Sequence, residues 1–517
     1  MRIKNTLINL IYIWGSALLL LGLNLLSRRI FLNVLTVDYL GYDGLFTSIF
    51  SFLTLSEMGI ASIITYHMYS EIATNNTQQI RKLLYIYKMI YKIVGSFVLV
   101  AGVVTSLFLP FILKEQMAGE DRLFIYTIYY LQLLATICTY FLAYRRILFV
   151  THQKIYFCTT VDTLMSIVST SLKIFVLIRF QSYVGYLLVA VANNIISNLI
   201  IAWWSRKKYP EITKVKISKA DIKELNLGHD VKNMMATKIA GTIYGSSDDI
   251  IISGMLGIGT VGMVSNYRMI SAKIQELIIS IFSALQASIG NLVYADEEKK
   301  GVSFFGALDL AGFYMGLVAA TGMIVVGQDF IFFWLAKSEL QLPLSFLFML
   351  SANVFVAICN NPMTYFRNTL GHFETDRDYM IAAAVVNVAI SLILAPIVGI
   401  TGIMFGTVIG HLLIFMGRTV VVYKYYVKEK PYSYYAKFLF RMVLLGITAF
   451  AALRISSLFT IDILLGSIIV KGIISVIVAT AVFLASSFKM NDFQTLVSYI
   501  EKVIEMVLRK KKAKGNM

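Results

Sequence analysis

Charge, cysteine, proline and histidine are all scarce in this chain of 517 residues. Only 15% of its residues are Asp, Glu, Lys or Arg, where a soluble domain carries about 25%. With 58% hydrophobic residues and so little charge to cover them, a water-exposed globule is excluded. The 3 cysteines, Cys138, Cys158 and Cys359, each fall inside an apolar run, so they read as neither a disulfide framework nor a thiolate metal site. The chain has no G-x-x-x-x-G-K-[ST] phosphate loop, no G-x-S-x-G elbow, no H-E-x-x-H pair and no His or Cys cluster with metal spacing. No cofactor, metal or catalytic constellation is therefore expected, and any transport must draw on an ion gradient, the membrane potential or a substrate gradient.

Apolar length is abundant. A spanning helix needs about 20 apolar residues, and about fourteen segments meet that need, among them 8–34, 44–68, 157–178, 233–255, 262–293, 438–458 and 464–487. The fold class expected is an all-α polytopic membrane protein. It has two pseudo-symmetric bundles of six helices, 1–204 and 233–424, joined by a basic cytoplasmic linker at 205–232. Two extra transmembrane helices at 425–487 and a cytoplasmic amphipathic basic tail at 488–517 complete it. The tail carries Phe493, Leu496, Val497, Ile500, Val503, Ile504, Val507 and Leu508 at helical spacing before Arg509 to Lys512. Such a stripe suits the anionic inner leaflet or an ordinary solvated tail.

The net charge of +17 does not indicate a nucleic-acid partner, because the basic residues sit in short loops between apolar segments. With the N-terminus inside, about 30 Lys and Arg fall on the cytoplasmic side against about 4 outside, which fixes the orientation with both termini cytoplasmic. Two short stretches match at an offset of about 221 residues: Leu35 to Gly41 and Leu256 to Gly262, both L-x-x-x-x-[LV]-G. His152 and His372, and Ser171-Leu172 and Ser391-Leu392, follow at nearly the same offset. An even number of helices per half makes these parallel repeats. Asp38 to Tyr42 reads as the turn between the first two segments.

Charges inside apolar segments cost about 2.5–3.5 kcal/mol each on insertion scales, so they mark function or pairing. Arg28 shares a helix face with Asn24, whereas Arg29 points about 100° away. Arg28 is therefore expected to face an internal cavity, against snorkelling for either arginine. In the segment at 262–293, Arg268 and Gln275 share a face, and Lys273 and Glu276 are spaced to pair. Lys173 interrupts another apolar run, while its repeat counterpart Ile393 is uncharged. Gln275, Asn24 and Asn194 form a polar stripe that could touch the polar part of a substrate. Glu57, Asp248, Asp249 and His411 are charge-balancing or coupling candidates, with plain salt bridges or satisfied polar contacts as the alternative. Asp162, Asp309 and Lys471 carry weaker signals, and Arg367 reads as a positive-inside residue. Several cations with few free acids suit an anionic substrate, and the planar fork of arginine suits phosphate.

The run Arg28-x-x-Phe31, Leu35-x-x-Asp38-Tyr39-Leu40-Gly41-x-x-Gly44-Leu45-Phe46 and Leu53-x-Leu55-Ser56-Glu57-Met58-Gly59-Ile60 resembles the opening of bacterial oligosaccharide flippases of the polysaccharide-transport family. That family lies within the multidrug/oligosaccharidyl-lipid/polysaccharide exporter superfamily. Asp248-Asp249-Ile250-Ile251-Ile252-Ser253 through Leu256-Gly257, Val261-Gly262 and Asn266-Tyr267 is similar to the start of its second bundle. The resemblance implies an alternating-access flippase of the bacterial cytoplasmic membrane. Its substrate would be undecaprenyl-pyrophosphate-linked oligosaccharide, moved outward for capsule, exopolysaccharide or surface-antigen synthesis. It further implies that Arg28 and Arg268 engage the pyrophosphate, and that the two extra helices form a groove for the lipid tail. Membrane lipids, and the polymerase and glycosyltransferases of the same pathway, are the partners it implies. The doubled Asp248-Asp249 and Arg28-Arg29 depart from the single charges expected there. Rival readings are a cation-coupled antiporter of the same superfamily, which calls for a net negative cavity, and a membrane polysaccharide polymerase, which calls for long outside loops.

Overall fold

The computed structural model describes the chain except residues 1, 55–59, 75, 114–121, 153, 211–227, 295–297, 371–372, 460 and 503–517. All regular structure among the described residues is helical. In order, these are α1 (Arg2–Val34), α2 (Val37–Leu53), α3 (Ile60–Ala73), α4 (Thr77–Ser106), α5 (Leu109–Ile112), α6 (Arg122–Ala143), α7 (Arg146–Thr151), α8 (Ile155–Phe180) and α9 (Tyr183–Lys208). There follow α10 (Gly228–Leu256), α11 (Ile258–Tyr294), α12 (Glu298–Leu335), α13 (Leu344–Leu370), α14 (Phe373–Val398), α15 (Ile400–Val422), α16 (Tyr432–Ser456) and α17 (Leu464–Ser487). A final helix, α18, runs over 491–502.

Among the described residues, ten helices are long and apolar enough to span: α4, α6, α8, α9 and α12 to α17. The other four expected segments are traced by α1, by α2 with α3, by α10 and by α11. These helices hold Arg28, Asp248, Asp249 and Arg268, the charges that apolar surroundings mark as candidates.

Packing divides the chain into two compact units, Tyr12–Ser265 and Asn266–Met517 with Met1–Ile11. Inside the first, α9 packs on α6 and α8, α4 on α6, and α2 on α10. Inside the second, α14 packs on α15, α12 on α13, α16 and α17, and α13 on α15. The first unit thus takes in α10 and the start of α11, whereas the linker expected at 205–232 is largely outside the described residues.

The stretch read as a turn at Asp38 to Tyr42 is helical. The chain turns earlier, at Leu35 and at Thr36, whose backbone is extended (φ −79°, ψ 164°), and α2 begins at Val37 with Asp38 in its first turn, where an acid favours the helix dipole. The glycines suggested a turn but serve close approach instead. A Cβ on Gly41 would lie 2.1 Å from the carbonyl oxygen of Ile258, and one on Gly262 would lie 2.2 Å from that of Val37 and 3.1 Å from the nitrogen of Gly41. The two copies of L-x-x-x-x-[LV]-G therefore meet each other reciprocally within the first unit, Gly41 on Ile258 and Gly262 on Val37.

In the second unit, buried charge ties α16 to α12. Asp309 accepts hydrogen bonds from Arg441 Nη1 (3.0 Å) and Nη2 (2.8 Å) and from Tyr434 Oη (2.5 Å), with Lys437 Nζ at 3.5 Å. Lys437 also lies 3.5 Å from Asp492 on α18. A second pair, Lys471 to Asp329 at 2.5 Å, joins α17 to α12. Over 491–502 the stripe expected on the membrane surface packs on protein. Phe493 and Leu496 lie against the buried core of the unit, Tyr499 meets Phe304 with ring centroids 5.1 Å apart, and Ile500 stays exposed. Aromatic partners on α12 and α17 offer burial that the leaflet would otherwise supply. The basic run Arg509 to Lys512 lies outside the described residues.

Candidate functional site

Arg28 ends the penultimate turn of α1, half-buried, while Arg29 beside it is exposed. Its Nη2 donates to Ser265 Oγ, which itself donates to the carbonyl of Gly262 at 2.6 Å. The glycine crossing thus fixes the acceptor that aims the guanidinium. Three residues further along α1, Phe31 is wedged between Tyr183 (5.8 Å between centroids) and Tyr186 (5.3 Å) of α9. Lys173 on α8 places its Nζ 4.6 Å from the centre of the Tyr186 ring, a cation–π contact. The two cations singled out in the sequence of this half, Arg28 and Lys173, therefore reach one patch of tyrosine.

Between them sits a residue that pattern reading missed. Asp43, on α2, is the carboxylate on which the fields of both Arg28 and Lys173 fall. Gln132 of α6 donates to its Oδ1 at 3.0 Å and lies 3.4 Å from the Tyr183 hydroxyl. With all three ionised, two cations face one carboxylate among the described residues. Asp43 went unnoticed because it fell between the supposed turn, ending at Tyr42, and the apolar segment expected to start at 44. Its place in the interior of an apolar helix is the signal that would have marked it.

The remaining predicted residues are spread through the fold. Asn24 is exposed on α1. Asn194, on α9, offers its carbonyl to Asn198 (2.8 Å), and Asn198 holds Arg146, which grips Asp162 through two bonds of 2.6 and 2.8 Å. Asp162 thus belongs to an ion pair with local hydrogen bonds. Asp248 and Asp249 are buried on α10, and Asp249 accepts from Ser48 Oγ of α2 at 2.7 Å. Glu57 lies outside the described residues.

In the second unit, Arg268 and Gln275 are half-buried on α11, and Lys273 pairs with Glu276 at 2.5 Å as their spacing predicts. Ile270, Ile274 and Ile278 of the same helix line an apolar cavity of about 630 Å³ with Val318 and Met323 of α12 and Val476 of α17. At its edge, Tyr267 donates to Gln328 (2.9 Å) and accepts from the amide of Leu342 (3.0 Å). His411 lies 2.8 Å from Asn353 Oδ1, a satisfied contact between α15 and α13. Arg367, read as a positive-inside residue, is buried, its Nη1 donating to Asn368 at 2.8 Å. Among the described residues no group of three or more His, Cys, Asp or Glu could hold a metal ion.

The chain is similar in fold to a solved lipid II flippase, MurJ, in an inward closed conformation (TM-score 0.67, 12% identity, covering 93% of this chain and 100% of that one). It is also similar to a multidrug resistance MATE family transporter of the MOP superfamily in an inward-facing conformation (TM-score 0.62, 15% identity, 78% of this chain and 94% of that one). A mutant of the Vibrio cholerae MATE transporter VcmN gives a TM-score of 0.54 at 13% identity, covering 83% and 98%. No curated protein matches by sequence. At these identities the likeness is one of fold: a multi-pass helical membrane protein built like flippases and transporters. The family described as "Polysaccharide biosynthesis protein" matches residues 6–286, more than half of the chain, and the chain belongs to that family.

Proposed function

We propose that this protein flips undecaprenyl-pyrophosphate-linked oligosaccharide repeat units from the inner to the outer leaflet of the bacterial cytoplasmic membrane, for capsule, exopolysaccharide or other surface polysaccharide. The observation that carries this reading is the cluster of Arg28 and Lys173 around Asp43, two cations for one carboxylate in a membrane-embedded bundle. A pyrophosphate bound there takes over from Asp43 in balancing the charge of Arg28, whose planar fork fits two phosphate oxygens. Asp43 keeps the cations tolerable in the empty protein and weakens the hold on phosphate, as transport requires, since the head group must leave on the far side. Two cations for one carboxylate speak against a cationic cargo.

The apolar cavity along α11, α12 and α17 suits an isoprenoid chain, and Arg268 stands on the helix that lines it. The expected order of events is capture of the phosphates, exposure of the site to the other side, and release as Asp43 reclaims the cations. The same pathway supplies the partners: glycosyltransferases upstream and a polymerase downstream. The reading is tested with Arg28→Ala and Arg268→Ala in the native host, scored by surface polysaccharide at matched protein abundance. A loss in both supports it, and wild-type polysaccharide in both overturns it.

A further inference from the structure

Beside Asp43 the first unit holds a hollow of about 350 Å³ between α2, α6 and α9. Its volume lies at the lower end of the ~300–1,000 Å³ typical of ligand pockets, which is room for one sugar ring and not for a whole repeat unit. One wall is polar: Asp43, Thr47 and Ser51 come from α2, Gln132 and Thr136 from α6. The Oγ of Ser51 donates to the Thr47 carbonyl (2.9 Å), and that of Thr136 to the Gln132 carbonyl (3.0 Å). Their protons are committed to the backbone, so these oxygens turn lone pairs toward a ligand. The wall is thus rich in acceptors, the Gln132 amide nitrogen being taken up by Asp43 and Tyr183. The opposite surface is apolar, formed by Phe50, Ala135 and the α9 residues Leu187, Ala190 and Val191. Thr47 is exposed, so the hollow is not sealed.

A pyranose has hydroxyl donors around its rim and a C–H face, and this lining is its complement. An isoprenoid would leave the acceptors unsatisfied at about 1–3 kcal/mol each, and a second phosphate would face Asp43. We propose that this hollow is a subsite for a single sugar ring of the head group, held by Asp43, Thr47, Ser51, Gln132 and Thr136 next to the cations that take its phosphates. The inference rests on the flippase reading and adds to it that recognition extends past the carrier to the sugar.

The test uses the full-length protein in lipid nanodiscs and two probes: undecaprenyl pyrophosphate, and the same carrier bearing one N-acetylhexosamine. Wild type should bind the glycosylated carrier about fivefold or more tightly than the bare one, the worth of one or two hydrogen bonds. Ala135→Leu, which fills the hollow, should bring that ratio close to one while the bare carrier binds within about twofold of wild type. Should Ala135→Leu not accumulate, the exposed-rim variant Thr47→Leu decides on the same ratio. A wild-type ratio near one, a ratio that survives the filling, or an equal loss for both probes overturns the sugar subsite and leaves the flippase reading standing. Failure of wild type to bind either carrier removes the flippase reading, and the subsite with it.

Discussion

Two clusters of buried charge, one in each packing unit, use the same residue types to different ends. Asp309 is surrounded by donors from Arg441, Tyr434 and Lys437, the guanidinium of Arg441 lies 4.8 Å from the Phe313 ring, and Asp492 balances the second cation. Arg441 and Asp309 are 3% and 2% exposed. Two acids meet two bases, and the central pair is closed off from solvent. Around Asp43 two cations share one carboxylate, all three are half-buried, and a hollow adjoins. A neutral, closed network is a staple; an unevenly charged, half-open one is a site. Charge type alone does not separate them, but stoichiometry and adjoining space do.

The comparison is broken most easily at the staple. Arg441→Leu leaves Asp309 buried without its main partner, and about 3–5 kcal/mol of stability should be lost. It reads out as a lower melting temperature and reduced abundance in the membrane. The double variant Asp309→Leu with Arg441→Leu should recover most of that loss. If the single variant melts like wild type, the network is no staple.

At the site the same kind of truncation should act on ligand instead. Arg28→Ala should leave the melting temperature near wild type while weakening binding of undecaprenyl pyrophosphate by about 2 kcal/mol or more, over tenfold. A stability loss as large as that of Arg441→Leu would erase the contrast. A smaller effect is expected at Lys173. Lys173→Gln gives up a cation over the Tyr186 ring, worth about 1 kcal/mol or roughly fivefold in affinity, and Lys173→Arg retains most of it. Equal loss in both substitutions would mean that packing, not charge, is what Lys173 contributes. Least of all should follow from Lys273→Ala, which removes a local pair worth about 0.2–0.5 kcal/mol. Abundance and surface polysaccharide should both stay at wild type.

The helical fold and the candidates Arg28 and Lys173 were legible because a charge within an apolar run stands out against its neighbours. The pairings were not. Asp309 and Arg441 are 132 positions apart, and nothing local in either segment names the other. Asp43 was hidden by its surroundings, since Gly41 and Gly44 made a helix start look like a turn. Their real reason, the approach of the Ile258 backbone to Gly41 and of the Val261 side chain to Gly44, is a tertiary fact. Phe493 and Leu496 show the same limit: the spacing identified an apolar face, but a bilayer and a bundle satisfy such a face equally.

The crossing of the two L-x-x-x-x-[LV]-G copies has a historical meaning. A contact in which one residue's partner is the counterpart of its own neighbour is the kind that two identical subunits make across a two-fold axis. Here both sides are on one chain, which is what fusion of a self-pairing ancestor leaves behind. Such an interface constrains later drift. A larger residue at Gly41 clashes with the copy at Ile258, and one at Gly262 clashes with the copy at Val37, so the halves can diverge here only by coordinated change. The charges do not follow that symmetry: Lys173 stands where its counterpart is Ile393. Asymmetry in the charges and symmetry in the glycines are two records of one duplication, the first of what was free to change and the second of what was not.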